Sequence, residues 1–315
     1  MEGFLTEPVF SVGGRTFTWG DVVAAARHWS AWSAVERGAR EGVACAREAD
    51  RSGDPLTGGE VDAAAAAFRR ARRLLSADEL RGWLAHWDVP LPYWTEYVRR
   101  SLLRARWADR LGELAARHHV SQDDVADFLH TEAVCSGALE EAARRLAERT
   151  AVATAIAAGA EGDFAAMDAS WECFCAAAAS PQAIEREVHA QHMDWLRLDC
   201  RWLAHGQEDV VREAALCVRE DGRDLATVAG DAGVRLETEI VFLEAAEPAL
   251  RGQLLGARPG DILGPVLLGD EFRLIEVVAK RAPSADDPEI RARAARAVVE
   301  RAVQGEVANR VRWAA

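Results

Sequence analysis

The feature that most constrains this chain is a change in its hydrophobic period. Up to about Trp195 the apolar residues recur every three to four positions, the spacing of one helix face. The run Leu196-Arg197-Leu198-Asp199-Cys200-Arg201-Trp202-Leu203 then alternates apolar and polar, as in a strand with one buried face. Further strands are predicted over 234–243, 264–268 and 272–279, with helices over 208–219 and 248–255. After Pro283 the helical period returns through Ile290, Ala294, Ala297, Val298, Val303, Val307 and Val311. A chain written this way predicts an α+β protein: a mostly helical N-terminal part, one α/β layer and a closing C-terminal helix. With 315 residues it is long enough for two domains, and the pattern divides it into 1–195, 196–282 and 283–315.

The N-terminal part opens with a hairpin, Val9-Phe10-Ser11-Val12 and Arg15-Thr16-Phe17-Thr18 around Gly13-Gly14. Thr18 with Asp21, and Ser76 with Glu79, have the spacing of capping boxes, in which a hydroxyl and a carboxylate satisfy each other's backbone donors. One helix is predicted over 93–117, another after a Ser121 cap, and a long one over 139–158. The chain has 11 tryptophans, most of them on these helices. They read either as core packing or as the lining of an apolar peptide groove.

A net charge of -13 argues against a nucleic-acid backbone or an anionic membrane as partner, and a neutral or basic peptide fits it better. The first residues lack a basic segment followed by an apolar run, and no stretch reaches about 18 uncharged apolar residues, so neither a signal peptide nor a membrane span is expected. A cytoplasmic protein is the resulting expectation, and its 6 scattered cysteines are expected to be thiols. The richest cluster of donor atoms is Cys173 and Cys175, then His189 and His192, then Cys200. His189 and His192 would share a helix face and, with the cysteines, offer the donor types of a tetrahedral zinc site. Buried thiols and surface imidazoles are the plainer reading. His130, beside Glu132 and near Cys135, has the makings of a general base, and His118-His119 sits at a predicted helix end. No phosphate loop, zincin helix or serine-hydrolase elbow occurs, and no cofactor is expected.

The order strand, helix, strand, helix, strand, strand resembles a parvulin domain. Glu213 to Ala229 looks like the family's helix and glycine turn. Pro259-Gly260-Asp261-Ile262-Leu263-Gly264-Pro265-Val266 followed by Phe272-Arg273-Leu274-Ile275-Glu276-Val277 resembles its ending. The hairpin, helices and returning last helix resemble SurA-type chaperones, which implies that 283–315 packs back on the helical domain. More closely, the chain resembles the PpiC-related peptide maturation system proteins of actinobacteria. That likeness is carried by Leu75 to Leu84 with Tyr97 to Leu103, by Cys135-Ser136-Gly137-Ala138-Leu139, and by the Asp286-Asp287-Pro288 to Arg312-Trp313 tail. It implies a setting of ribosomally synthesised, post-translationally modified peptides, including lanthipeptides. The implied partners are a precursor peptide and its modifying enzymes, kinase- or lyase-type dehydration components.

Parvulins anchor a twisted X-Pro bond with two histidines on neighbouring strands. Here the first position falls in Arg201-Trp202-Leu203 and the second on Arg273, so neither is His. His205 lies just past the first strand, and Leu236-Glu237-Thr238-Glu239 stands where the family has a glycine-rich segment. An apolar wall survives as Phe242, Leu250 and Leu254. Trp202, Phe242, Leu250, Leu254 and Arg273 are therefore the expected peptide contacts, with Arg273 suited to a carbonyl or carboxylate. The expected function is a peptide-binding component of precursor maturation that assists modification or ring closure. A cyclase would draw on His130, His189, His192 or Cys200. A prolyl isomerase or holdase, and a structural partner of a modifying enzyme, are the alternatives.

Overall fold

The computed structural model describes residues 2–157, 159 and 162–314. The predicted helix over 139–158 thus ends on a residue outside them. The chain forms two compact units, Met1–Phe174 with Val303–Ala315, and Cys175–Ala302.

In the first unit the elements are α1 (Glu2–Leu5), β1 (Pro8–Val12), β2 (Arg15–Thr18), α2 (Trp19–His28), α3 (Trp32–Ser52), α4 (Gly58–Ala71), α5 (Ala77–His86), α6 (Leu91–Arg106), α7 (Leu111–Arg117), α8 (Asp123–Ala126), α9 (Leu129–Cys135), α10 (Ala138–Ile156) and the start of α11 (Phe164–Ala178). Thr18, Thr57 and Ser76 each close a capping box, with Asp21, Glu60 and Glu79 respectively. Such a cap satisfies two otherwise orphaned N–H groups and is worth about 1 kcal/mol. The hairpin folds because Phe10 and Phe17, both 1% exposed, stack at 4.8 Å on its inner face. They join Val22, Leu84, Trp94, Leu139 and Leu146 in the main core. A second cluster lies along α3, where Ala39, Ala44 and Cys45 meet Leu103, Leu114 and Val125. The single helix predicted over 93–117 is in fact two. Trp107 leaves the helical region (φ -116, ψ 34), and the following turn carries Leu114 into the α3 cluster. No Gly or Pro marks that break, so tertiary burial overrides local propensity there.

In the second unit α12 (Pro181–Ala190) precedes β3 (Arg197–His205), α13 (Glu208–Arg219), α14 (Leu225–Asp231), β4 (Leu236–Phe242), a 3-10 turn (Leu243–Ala245), α15 (Pro248–Gly256), β5 (Ile262–Leu268) and β6 (Glu271–Arg281). Then comes α16 (Pro288–Arg310), whose last residues belong to the first unit, as does β7 (Arg312–Trp313). The four strands form an antiparallel sheet in the order β4-β3-β6-β5. The α/β layer expected from the sequence is present, with α14 added where only a turn was expected. Asp224 starts that helix by accepting from the Ala226 and Thr227 amides. Alternation gives the sheet two faces. Leu203 and Leu274 pack with Val211, Leu225 and Val228 of α13 and α14. Cys200, Ile275 and Val277 pack with Leu250 and Leu254 of α15. Lys280, the only lysine in the sequence, holds α15 in place. Its ammonium donates to the carbonyls of Leu254, Leu255 and Ala257, which the helix end leaves without intrahelical partners. Elsewhere in this unit α12 and α16 share Val188, Trp195, Ile290 and Ala294, and Arg301 grips the Glu187 carboxylate through two bonds of 2.7 and 2.9 Å.

In the first unit β7 pairs antiparallel with β1, so the sheet there has the order β2-β1-β7 with Phe10 opposite Trp313. Val307 and Val311 pack into the main core. Among the described residues no helix is long and apolar enough to cross a membrane.

Candidate functional site

Two places carry chemistry: a face of the sheet in the second unit and a groove in the first.

On the sheet, Trp202 pairs with Ile275 and Ala204 with Arg273. Trp202 and Arg273 are thus diagonal neighbours on one face, close enough for long side chains to meet. The Arg273 guanidinium lies 4.0 Å from the centroid of the Trp202 ring. Arg201 points the other way, bound to Glu276 at 2.7 Å and to Asp224 at 3.4 Å. Of the residues at the family's first histidine position, Trp202 is therefore the one that shares a face with Arg273. A tryptophan–arginine stack thus occupies the two positions at which the parvulin resemblance expects histidines. Indole has no basic nitrogen and guanidinium stays protonated, so neither group can trade roles as a hydrogen-bond donor and acceptor as imidazole does. The Trp202 Nε1 and Arg273 Nε atoms are buried without a hydrogen-bond partner.

The turn beside this pair depends on Gly264. At φ +107 it bulges β5, and a Cβ there would run into the Arg273 carbonyl oxygen. From the opposite face Arg219 donates to the carbonyls of Ile262 (3.0 Å) and Gly264 (2.7 Å), pinning the bulge. The apolar wall is divided. Leu250 and Leu254, 6% and 1% exposed, are core residues packed with Ile275 and Val277. Phe242 instead joins the cluster of Val188, Trp195 and Ile290, under the Arg293 guanidinium at 4.8 Å. Of the five expected peptide contacts, Trp202, Leu250 and Leu254 lie in one cluster with Arg273 over the Trp202 ring, and Phe242 alone lies in another.

The expected catalytic and metal residues are also dispersed. α12 ends at Ala190, so His189 is helical while His192 lies in the following turn and the two do not share a helix face. Both are exposed. Cys173 and Cys175 are two apart on α11, on different sides of the helix. Cys200 is buried in the sheet core, where desolvation pushes its thiol up to about 11. Among the described residues no three His, Cys, Asp or Glu side chains are gathered as metal ligands, and no disulfide joins the cysteines. The general-base setting expected around His130 also separates. Glu132 turns to Arg104 at 2.8 Å, and burial raises its carboxyl above the usual range. Burial pushes the Cys135 thiol up to about 12. His130 Nε2 binds the Trp87 carbonyl at 2.7 Å, and its ring stands edge-on to Phe4 at 4.8 Å.

That contact makes His130 a support for the groove of the helical unit. This open groove of about 810 Å³ is lined by Trp19, Trp87 and Trp313, with Val9, Glu7 and Glu140 among its other residues. The Trp19 and Trp87 rings lie 5.1 Å apart at 52°, and Phe4 stacks behind Trp19 at 5.4 Å. Trp313 is brought to the site by the β1–β7 pairing and rests edge-on against Phe10 at 5.5 Å, leaving it 48% exposed. Rigid aromatic walls of this kind bury apolar side chains with little loss of conformational entropy. Sequence reasoning raised a tryptophan groove without saying which tryptophans form it. The three come from far-apart segments, and only the fold unites them.

No family profile and no curated protein matches the chain. Among solved structures, a match comes from work describing PEB4 and the periplasmic protein Cj1289 as SurA-like chaperones of Campylobacter jejuni. It is 10% identical, covers 98% of this chain and 100% of that one, and has a TM-score of 0.20. Likeness at that score carries no argument about fold or function.

Proposed function

We propose that this protein holds peptides and does not isomerise prolyl bonds. The observation that carries the reading is the groove walled by Trp19, Trp87 and Trp313, large enough at about 810 Å³ for several side chains. The stacked Trp202 and Arg273 at the histidine positions supply the negative half. Within this reading, the resemblance to the actinobacterial peptide maturation proteins names the cargo: a ribosomally made precursor, held in the cytoplasm for its modifying enzymes. The protein acts there as a holder of the precursor. A cyclase would need a base for the precursor's own thiol and an acid for the resulting enolate, and His130, the candidate base of the helical unit, is instead bound to the Trp87 carbonyl at 2.7 Å.

The test uses the full chain. Fluorescence anisotropy with a mixed set of fluorescein-labelled nonapeptides should give saturable binding that weakens in Trp313→Ala. A chromogenic X-Pro tetrapeptide should isomerise at its uncatalysed rate. Catalysed isomerisation would reverse the second half of the proposal, and binding indifferent to Trp313 would reverse the first.

A further inference from the structure

Arginines sit over many of the protein's tryptophans. Arg145 and Arg149 flank Trp29, Arg27 lies over Trp32, Arg72 over Trp83, Arg149 over Trp171, Arg293 over Trp195 and Arg273 over Trp202. Among the described residues no such arginine lies over Trp94 and Trp107, which pack into the cores, or over Trp19, Trp87 and Trp313, which line the groove. The charges there are unbalanced in the same sense. Arg144 lines the groove but is bound to Glu141 at 2.9 Å. Glu7 and Glu140 line it too, are exposed, and their carboxylates have no partner among the described residues. His86 is the remaining titratable group.

We propose that this groove recognises a basic side chain of a bound peptide, arginine or lysine, set against Trp313 and Trp19, with the buried Trp87 behind them, and balanced by Glu7 and Glu140. The inference rests on the peptide-holding reading and adds the chemistry of the cargo. A ring face attracts a cation through its quadrupole, and more strongly where the cation loses water. An arginine also spreads flat on indole while its N–H groups reach carboxylates at the edge. A segment in which arginine alternates with apolar residues satisfies both features of the groove.

The test is anisotropy on the full chain with two probes: a fluorescein-labelled nonapeptide alternating leucine and arginine, and its analogue with citrulline for each arginine. Citrulline keeps the shape and removes the charge. The arginine peptide should bind about tenfold more tightly. Glu7→Gln with Glu140→Gln should remove most of that preference and leave the citrulline peptide unchanged. Glu213→Gln with Glu220→Gln removes the same two negative charges on the second unit and should alter neither probe. Equal affinity for the two peptides, or equal loss in both double variants, overturns the basic preference while peptide holding stands. Failure of both peptides to bind, or binding untouched by Trp313→Ala, overturns the holding reading and the preference together.

Discussion

Replacing Gly264 by alanine tests how the bulge beside Arg273 is built. Gly264 has φ +107, where an L-residue is strained by roughly 1–2 kcal/mol. Its new Cβ would also overlap the Arg273 carbonyl oxygen and approach the Val266 amide nitrogen at 3.1 Å. Both are backbone atoms of the β5–β6 ladder, so no side chain can swing aside, and the overlap adds about 1–3 kcal/mol. The alanine gives back about 0.4–1 kcal/mol by restricting the unfolded chain, leaving a net loss of about 1–5 kcal/mol. Gly260 provides the control. It has φ +93, yet nothing lies within 4 Å of where its Cβ would be. Gly260→Ala therefore carries the strain alone, and the two variants should differ by about 1–3 kcal/mol. Urea titration read by hydrogen exchange of peptides spanning β5 and β6 separates this unit from the other. Equal losses at the two glycines would refute the steric account, and a Gly264→Ala chain as stable as the parent would refute the bulge itself.

Other outcomes follow from the charged and thiol groups. Glu48 binds Arg51 at 2.6 Å, His118 at 2.8 Å and Arg117 at 3.2 Å, and these bonds, Arg51 foremost, hold its carboxyl near 2 instead of 4.5. The unfolded chain binds the extra proton between those values, so this stability is full above pH 4.5 and is lost as pH falls toward 2. In acid titrations followed by circular dichroism, the gap between the parent and Glu48→Gln should close over that window; a constant gap would contradict the assignment. Lys280→Met leaves the α15 carbonyls without their donor, which should cost about 1–3 kcal/mol and speed exchange of the α15 amides. In native protein at pH 8 iodoacetamide should modify the exposed Cys173 first and spare Cys45, Cys135 and Cys200, whose buried thiols lie at about 11, about 12 and about 11. Early labelling of Cys135 would show that α9 opens.

What could be read in the sequence was local. Thr18 with Asp21 and Ser76 with Glu79 declare their helix starts within four residues, and the alternation through Leu198, Cys200 and Trp202 declares a half-buried strand. The α/β layer was legible because each strand carries its own period. The break after Arg106 was not, since Trp107-Ala108-Asp109-Arg110 contains no breaker and the turn exists to bury Leu114. His189 and His192 looked paired only on the assumption that α12 continues past Ala190. Phe242 looked like a site residue because alternation says which residues face inward but not which cluster receives them. The groove was the least legible, since Trp19, Trp87 and Trp313 acquire a common role only through the β1–β7 pairing and the seat that Phe4 and His130 provide.

That pairing has a consequence for biosynthesis. β1 and its partner β7 are separated by roughly 300 residues, and at the usual 5–20 residues per second the ribosome needs on the order of 15–60 s to make the intervening chain. For that interval the sheet of the first unit is a lone hairpin, a form of marginal stability in water, and the β1 edge that Trp313 will cover is open to any passing strand. The third wall of the groove arrives with the same dipeptide. A nascent chain therefore lacks the complete groove until Arg312 and Trp313 have left the exit tunnel, and one stalled earlier presents an unpaired edge in place of the third wall.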